Sequence, residues 1–240
     1  MLHAIIDIGS NTIRMAVYQI EGRAFTLLLK RKHTVGLAGY LDHGRLVREG
    51  IEKTVKILRG FMEFIETFGI AHVHAFATAA LRSATNSRAA VEEITRRTGV
   101  VVRIVSGEEE AAYDFIGATQ NIEHADGVMM DIGGGSTEII HYVDHEMRGR
   151  WSLPLGSLAI AKAHVGGLLP TAEECRAIRA AAESVLDGVP DVRQLRTRHM
   201  VGMGGVLSSA SRMHGLLYPD ETPRLLRVSN LPAMAEMFGS

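Results

Sequence analysis

Ala4-Ile5-Ile6-Asp7-Ile8-Gly9-Ser10-Asn11-Thr12-Ile13-Arg14-Met15-Ala16-Val17 has a near-copy further along the chain. That copy reads Gly127-Val128-Met129-Met130-Asp131-Ile132-Gly133-Gly134-Gly135-Ser136-Thr137-Glu138-Ile139-Ile140. In each, an apolar run ends in Asp-Ile-Gly, a tight polar turn follows, and a second apolar run resumes at once. That pattern predicts a β-hairpin. Both turns carry small residues and hydroxyls and almost no bulk. Backbone N–H groups in such a turn can approach a ligand closely and form an anion nest. One turn of this kind reads as an ordinary hairpin, where Gly and Asn supply positive φ. Two with the same lead, and with hydroxyls at Ser10, Thr12, Ser136 and Thr137, predict a duplicated phosphate grip. Each half also offers a carboxylate, Asp7 or Asp131, so a cleft holding a phosphate chain from both sides is expected.

The surrounding chain permits this. Its 240 residues allow one large domain or two modest ones, and 46% hydrophobic with 22% charged residues allows a normal core. A net charge of −1 gives no global pull toward nucleic acid or membrane, so neither is expected as a partner. The single cysteine, Cys175, excludes an internal disulfide and fits a reducing compartment. No apolar run reaches transmembrane length, and the first residues lack a signal-peptide pattern, so cytoplasm is the expected location.

Working outward from the first hairpin, Glu21-Gly22-Arg23 predicts a turn and 24–32 a third strand that ends in the basic run Lys30-Arg31-Lys32-His33. Ile51, Val55, Leu58, Met62, Ile65 and Phe68 recur at helical spacing, and Gly69 stops that helix. His72 to Thr78 predicts a short strand, and 78–86 a loop or short helix carrying Arg82. Ser87 is expected to cap a helix ending near Thr98-Gly99, before a strand over 100–105. Ser106 and Glu109 have capping-box spacing ahead of a helix toward Ala118, and Thr171 and Glu174 repeat it ahead of a helix to about Leu186. The segment 151–158 leads on toward Gly166-Gly167. His199 to Met203 predicts a strand running into Gly204-Gly205 and a helix. A further helix begins near Pro232, and the chain ends at Gly239-Ser240. The polar stretch 120–127 is the expected boundary between domains 1–122 and 123–240. The pattern is α/β with mixed sheets.

Several side chains stand out, each with a plainer reading beside it. Asp7 and Asp131 end apolar strands, where a carboxylate needs a partner or a cation. Glu138 returns across the second turn toward Asp131, and such oxygen ligands suit Mg²⁺; it reads equally as a solvated strand residue. Of Glu108, Glu109 and Glu110, one or two complement the helix dipole. Glu110 is not needed for the cap and has the chemistry of a general base. Arg82 matches phosphate geometry and also reads as a surface arginine. Gly202-Met203-Gly204-Gly205 is either a nucleotide contact or a simple strand-to-helix turn. The basic run at 30–32 either guides a polyanion or is a solvated strand end. The histidines show no zinc spacing, and Cys175 has no evident histidine partner.

These motifs resemble the exopolyphosphatase/guanosine pentaphosphate phosphatase family, within the actin-like superfamily of sugar kinases, acetate kinase and actin. The carriers are Ile6-Asp7-Ile8-Gly9-Ser10-Asn11-Thr12, Ala77-Thr78-Ala79-Ala80-Leu81-Arg82, Val105-Ser106-Gly107-Glu108-Glu109-Glu110-Ala111 and Asp131-Ile132-Gly133-Gly134-Gly135-Ser136-Thr137-Glu138. The resemblance covers essentially the whole chain. It implies two ribonuclease-H-like domains and Mg²⁺-dependent hydrolysis of terminal phosphoanhydrides by water. It implies Glu110 as catalytic base, and Asp7, Asp131 and Glu138 as metal and water-positioning acids. It implies phosphate contacts at Gly9, Ser10, Asn11, Arg82, Gly133, Gly134, Gly135 and Ser136. Two departures stand out. Family members continue well past the position of Ser240, so the second domain is expected to be incomplete. The chain also reads Gly204-Gly205-Val206 where Gly-Gly-Thr is commoner.

The expected function is therefore release of terminal phosphate from polyphosphate or guanosine pentaphosphate. Two alternatives stay open at this point: a non-catalytic phosphate or nucleotide sensor, and an ATP-dependent kinase of the same superfamily. A homodimer is compatible with the resemblance.

Overall fold

A computed structural model describes residues 1–119, 122–222 and 224–237. The contacts divide the chain into two compact units, Met1–Ser106 and Gly107–Ser240. The chain end at Gly239-Ser240, and Gln120 and Asn121 of the polar boundary stretch, lie outside the described residues.

The first unit is built on a five-stranded sheet. Strands β1 (Leu2–Ile8), β2 (Thr12–Glu21) and β3 (Ala24–Thr34) run antiparallel in turn. A two-stranded ribbon of β4 (Leu41–Asp42) and β5 (Arg45–Leu46) follows, then helix α1 (Arg48–Thr67). Strand β6 (His72–Ala77) lies parallel to β1, and β7 (Val102–Ile104) parallel to β6, with the short α2 (Ala79–Arg82) and α3 (Ser87–Thr98) between them. The strand order is β3-β2-β1-β6-β7. Alternation decides the buried face. Ala4, Ile6, Ile8, Ile13, Met15 and Val17 are buried with Val55, Leu58, Phe61 and Ile65 of α1 and Ile94 of α3. Gly69, at φ 61, ends α1 in the left-handed conformation that a side chain disfavours.

The second unit repeats the plan. Strands β8 (Gly127–Ile132), β9 (Thr137–Val143) and β10 (Glu146–Leu153) are antiparallel, and β11 (Met200–Met203) lies parallel to β8. The order is β10-β9-β8-β11, four described strands where the first sheet has five. Here both faces are apolar. Met129, Ile140 and Tyr142 pack with Ala111 and Phe115 of helix α4 (Gly107–Ala118). Val128, Ile139 and Leu153 pack with Val185 and Leu186 of α6 (Ala172–Asp187), and with Val192 of α7 (Pro190–Gln194). Helix α5 (Ser157–His164) follows β10, α8 (Gly204–Leu217) follows β11, and α9 (Leu231–Glu236) is the last described helix. Among the described residues, no helix is long and apolar enough to cross a membrane.

The expected α/β architecture with mixed sheets is present, and both predicted hairpins form. Two local expectations change. Ser87 is the first residue of α3 rather than its cap. The cap position belongs to Asn86, whose side chain instead bridges the Leu46 amide and carbonyl at 2.8 and 3.0 Å. The segment read as 151–158 is the end of a strand that starts at Glu146, followed by a helix from Ser157. Helix α4 packs on the second sheet, where Ala111 and Phe115 fill the core.

Candidate functional site

In the first unit the turn after β1 is closed by Gly9 N–H donating to the Thr12 carbonyl at 3.1 Å. Its carbonyls are used up by the segment after β3. Val35 and Gly36 N–H donate to Asn11 O, both at 2.8 Å, and Ala38 N–H donates to Ser10 O at 2.9 Å. The turn is thereby pinned through its acceptors, a geometry in which amides past Gly9 can meet an anion. Ser10 is buried, and among the described residues its Oγ has no hydrogen-bond partner. An orphaned buried hydroxyl costs stability unless a partner meets it, which makes Ser10 Oγ a candidate for contact with a ligand oxygen.

Arg82 ends α2, the short helix after β6, and its Nη1 donates to the Val105 carbonyl at 3.2 Å. It is half-buried and tied down, unlike a surface arginine. Because β1, β6 and β7 are parallel, the Gly9–Asn11 turn, Arg82 and Val105 all lie at the carboxyl ends of strands. That edge is where open α/β sheets bind ligands. Asp7 pairs with Arg14 across the hairpin, with the guanidinium 3.8 Å from its carboxylate.

The second unit repeats the closing hydrogen bond of the turn. Gly133 N–H donates to the Ser136 carbonyl at 2.9 Å. A Cβ at Gly133 would crowd Ser136 O, as one at Gly9 would crowd Thr12 O. Here the carbonyls are taken by the first turn of α5. Ser157 N–H donates to Gly133 O at 2.9 Å, and Leu158 and Ala159 N–H donate to Gly134 O at 3.0 and 3.1 Å. Gly156 permits this seating, since any Cβ there would overlap the Gly135 backbone.

Asp131 and Glu138 are direct cross-strand partners, just as Asp7 and Arg14 are in the first hairpin. The register extends the row to Ser152 on β10 and Met203 on β11. Glu138 is only 2% exposed, and Ser152 Oγ donates to its Oε1 at 2.7 Å. The alternation that puts Met129 and Ile140 toward α4 puts Asp131 and Glu138 on the same face. Glu110, half-buried in the first turn of α4, stands beside Ala111 of that same core. Gly204, at φ 81, brings the start of α8 against this carboxylate pair, and a Cβ there would overlap Asp131 Oδ1.

Two carboxylates on neighbouring strands fit Mg²⁺, which takes one or two from the protein and completes its shell with water and phosphate. Among the described residues, no three His, Cys, Asp or Glu side chains converge on one cation position. The sequence thus led to the turns and the acids. It missed Ser152 and Gly156. The first is visible only through register, and the second only through its packing on a distant turn.

Known proteins share the sequence pattern and the fold. The model of a family described as the Ppx/GppA phosphatase family matches residues 16–223. A guanosine-5'-triphosphate,3'-diphosphate pyrophosphatase of Aeromonas hydrophila is 33% identical over 99% of this chain and 47% of its own length. Exopolyphosphatase 1 of Mycobacterium tuberculosis is 32% identical over 64% of this chain and 46% of its own. The chain therefore spans about half the length of the curated relatives it matches. Among solved structures, the Aquifex aeolicus PPX-GPPA enzyme superposes with a TM-score of 0.76 at 27% identity, covering 99% of this chain and 80% of that one. An exopolyphosphatase from Cytophaga hutchinsonii shares the fold with a TM-score of 0.82 at 23% identity, over 92% and 72% of the two chains.

Proposed function

This chain belongs to the Ppx/GppA phosphatase family, and we propose that it carries the machinery for releasing terminal phosphate from inorganic polyphosphate or guanosine pentaphosphate. The observation that supports this most is the acidic row Ser152–Glu138–Asp131. It lies beside the Gly133–Gly135 turn, on the face that α4 covers with Glu110.

Phosphoryl transfer to water is mainly positioning and charge neutralisation. In this reading the turns at Gly9, Ser10 and Asn11, with Arg82, and at Gly133, Gly134, Gly135 and Ser136 each bind phosphate oxygens, Gly9 and Gly133 closing their turns through their own N–H while the amides past them donate to the ligand. Glu110 orients a water and accepts its proton as the oxygen attacks phosphorus and the bridging oxygen leaves. Asp131 and Glu138 would hold Mg²⁺, which would supply charge neutralisation when bound. Ser152 fixes Glu138 so that its carboxylate meets a ligand without rearranging. The single Cys175 supports a reducing, cytoplasmic setting.

The test is phosphate release from long-chain polyphosphate and from guanosine pentaphosphate, each with and without Mg²⁺. Mg²⁺-dependent release from either substrate is expected. Binding without release would favour the sensor. ATP consumption only in the presence of a sugar or carboxylate acceptor would favour the kinase.

A further inference from the structure

The pleat of β3 sorts the basic run Lys30-Arg31-Lys32-His33 onto two faces. Arg31 pairs with the buried Met15, and its guanidinium lies 4.3 Å from the Phe64 ring centroid of α1. The His33 ring follows it, 5.5 Å from Phe61. Lys30 and Lys32 pair with Ala16 and Arg14 and project from the opposite face.

On that face the register draws one row across all five strands: Lys32, Arg14, Asp7, Phe76 and Arg103. At a strand spacing of ~4.8 Å the row is about 19 Å long. Lys30 stands in the next row, beside Ala16, Ile5 and His74. Among the described residues of these strands, Asp7 is the only carboxylate on this face, and it is met by Arg14 at 3.8 Å. Lys30, Lys32, Arg14 and Arg103 are exposed. Lys30, Lys32 and Arg14 therefore gather around the one carboxylate of these strands on this face, with Arg103 at the far end of the row, on a chain whose net charge is −1. The row crosses β1 two residues before Gly9, so it borders the phosphate-binding turn.

We infer that this face is a polyanion-binding surface that receives the distal part of a long polyphosphate chain whose end occupies the turn. This rests on the proposed hydrolase reading. It adds a preference for long chains over guanosine pentaphosphate, which is too short to need such a lane. Lysines and arginines bind successive phosphates through charge alone. Single-stranded nucleic acid generally requires stacking aromatics as well, and the only aromatic in the row is the half-buried Phe76.

The decisive comparison is between two variants of the same basic run, Lys30→Ala/Lys32→Ala and Arg31→Ala. Binding of long-chain polyphosphate is measured directly, at low and at physiological salt. Phosphate release is measured in parallel from long-chain polyphosphate and from tripolyphosphate. The double variant is expected to bind the long chain about tenfold more weakly, with reduced salt dependence. Its KM is expected to rise for the long chain and stay unchanged for tripolyphosphate, while Arg31→Ala behaves as parent. Equal losses in both variants would overturn the proposal, as would unchanged long-chain binding in the double variant. Tighter binding of single-stranded RNA of matched length would also overturn it in favour of a nucleic-acid surface. A parent that binds polyphosphate through Lys30 and Lys32 but releases no phosphate would refute the hydrolase reading and leave the surface standing.

Discussion

Glu138 shows how much one residue's environment adds to its spacing. Seven positions after Asp131, it read equally as a metal ligand or a solvated strand residue. Burial to 2% exposure and a 2.7 Å hydrogen bond from Ser152 remove the second reading, because a lone carboxylate is not buried without compensation. Ser152→Ala is expected to cost about 1.5–3 kcal/mol, the range for a hydrogen bond to a charged group, read as a drop in denaturant midpoint. An unchanged midpoint would mean that Ser152 does not support Glu138. Gly204 makes a second residue-scale case. In the sequence, Gly202-Met203-Gly204-Gly205 reads as either a nucleotide contact or a strand-to-helix turn. Its φ of 81 and its closeness to the Asp131 carboxylate make it a position for glycine alone. Gly204→Ala should destabilise by about 1–3 kcal/mol. Gly205→Ala should be tolerated, since nothing lies within 4 Å of a Cβ there. Thermal melts of the two variants decide it, and similar melting points would contradict the assignment.

At the scale of elements, the sequence was most legible where a local signal coincided with the tertiary use of the same atoms. Thr171 and Glu174 form the predicted capping box, with Thr171 N–H donating to Glu174 at 2.7 Å and Glu174 N–H donating to Thr171 Oγ1 at 3.2 Å. Thr171→Ala should cost about 1 kcal/mol of stability. The two backbone amides that donate to Glu174, from Thr171 and Gly166, hold its carboxyl below the ordinary value of 4.5. The stability it contributes is therefore fully present above that value and lost as pH falls through the lower folded-state value. The melting-temperature gap between parent and Glu174→Gln should close in that window and stay constant at neutral pH. A gap that persists at acid pH would show that the charge plays no part. Legibility failed where tertiary demands displaced the local signal. Asn86 is held by Leu46, which left Ser87 inside the helix. Strand β10 is hard to read because Glu146-Met147-Arg148-Gly149-Arg150 is rich in charge, Arg150 reaching Glu108 of α4 at 3.3 Å, and carries a bulge between Met147 and Gly149, so its apolar period is broken. Helix α5, Ser-Leu-Ala-Ile-Ala-Lys-Ala-His, has no clear apolar stripe to announce it.

At the scale of the whole molecule, duplication organises everything else. The two hairpins share register, turn closure and the Asp at the strand end, and they differ at one telling position. Asp7 faces Arg14, and Asp131 faces Glu138. One unit therefore balances its carboxylate with a cation and spreads further cations along the row. The other doubles the negative charge and buries it beside a helix carrying Glu110. That division suits an anion-binding half and a cation-binding, water-activating half. Neither role was legible from the Asp-Ile-Gly repeat alone, because the repeat is what the halves share. The most direct test of this division is the rate of phosphate release from long-chain polyphosphate with Mg²⁺, for the parent and for Glu110→Gln, both confirmed folded and polyphosphate-bound. The account predicts release by the parent and a loss of at least about a hundredfold in the variant, the range for a general base, with binding retained. Equal rates in the two proteins would contradict it.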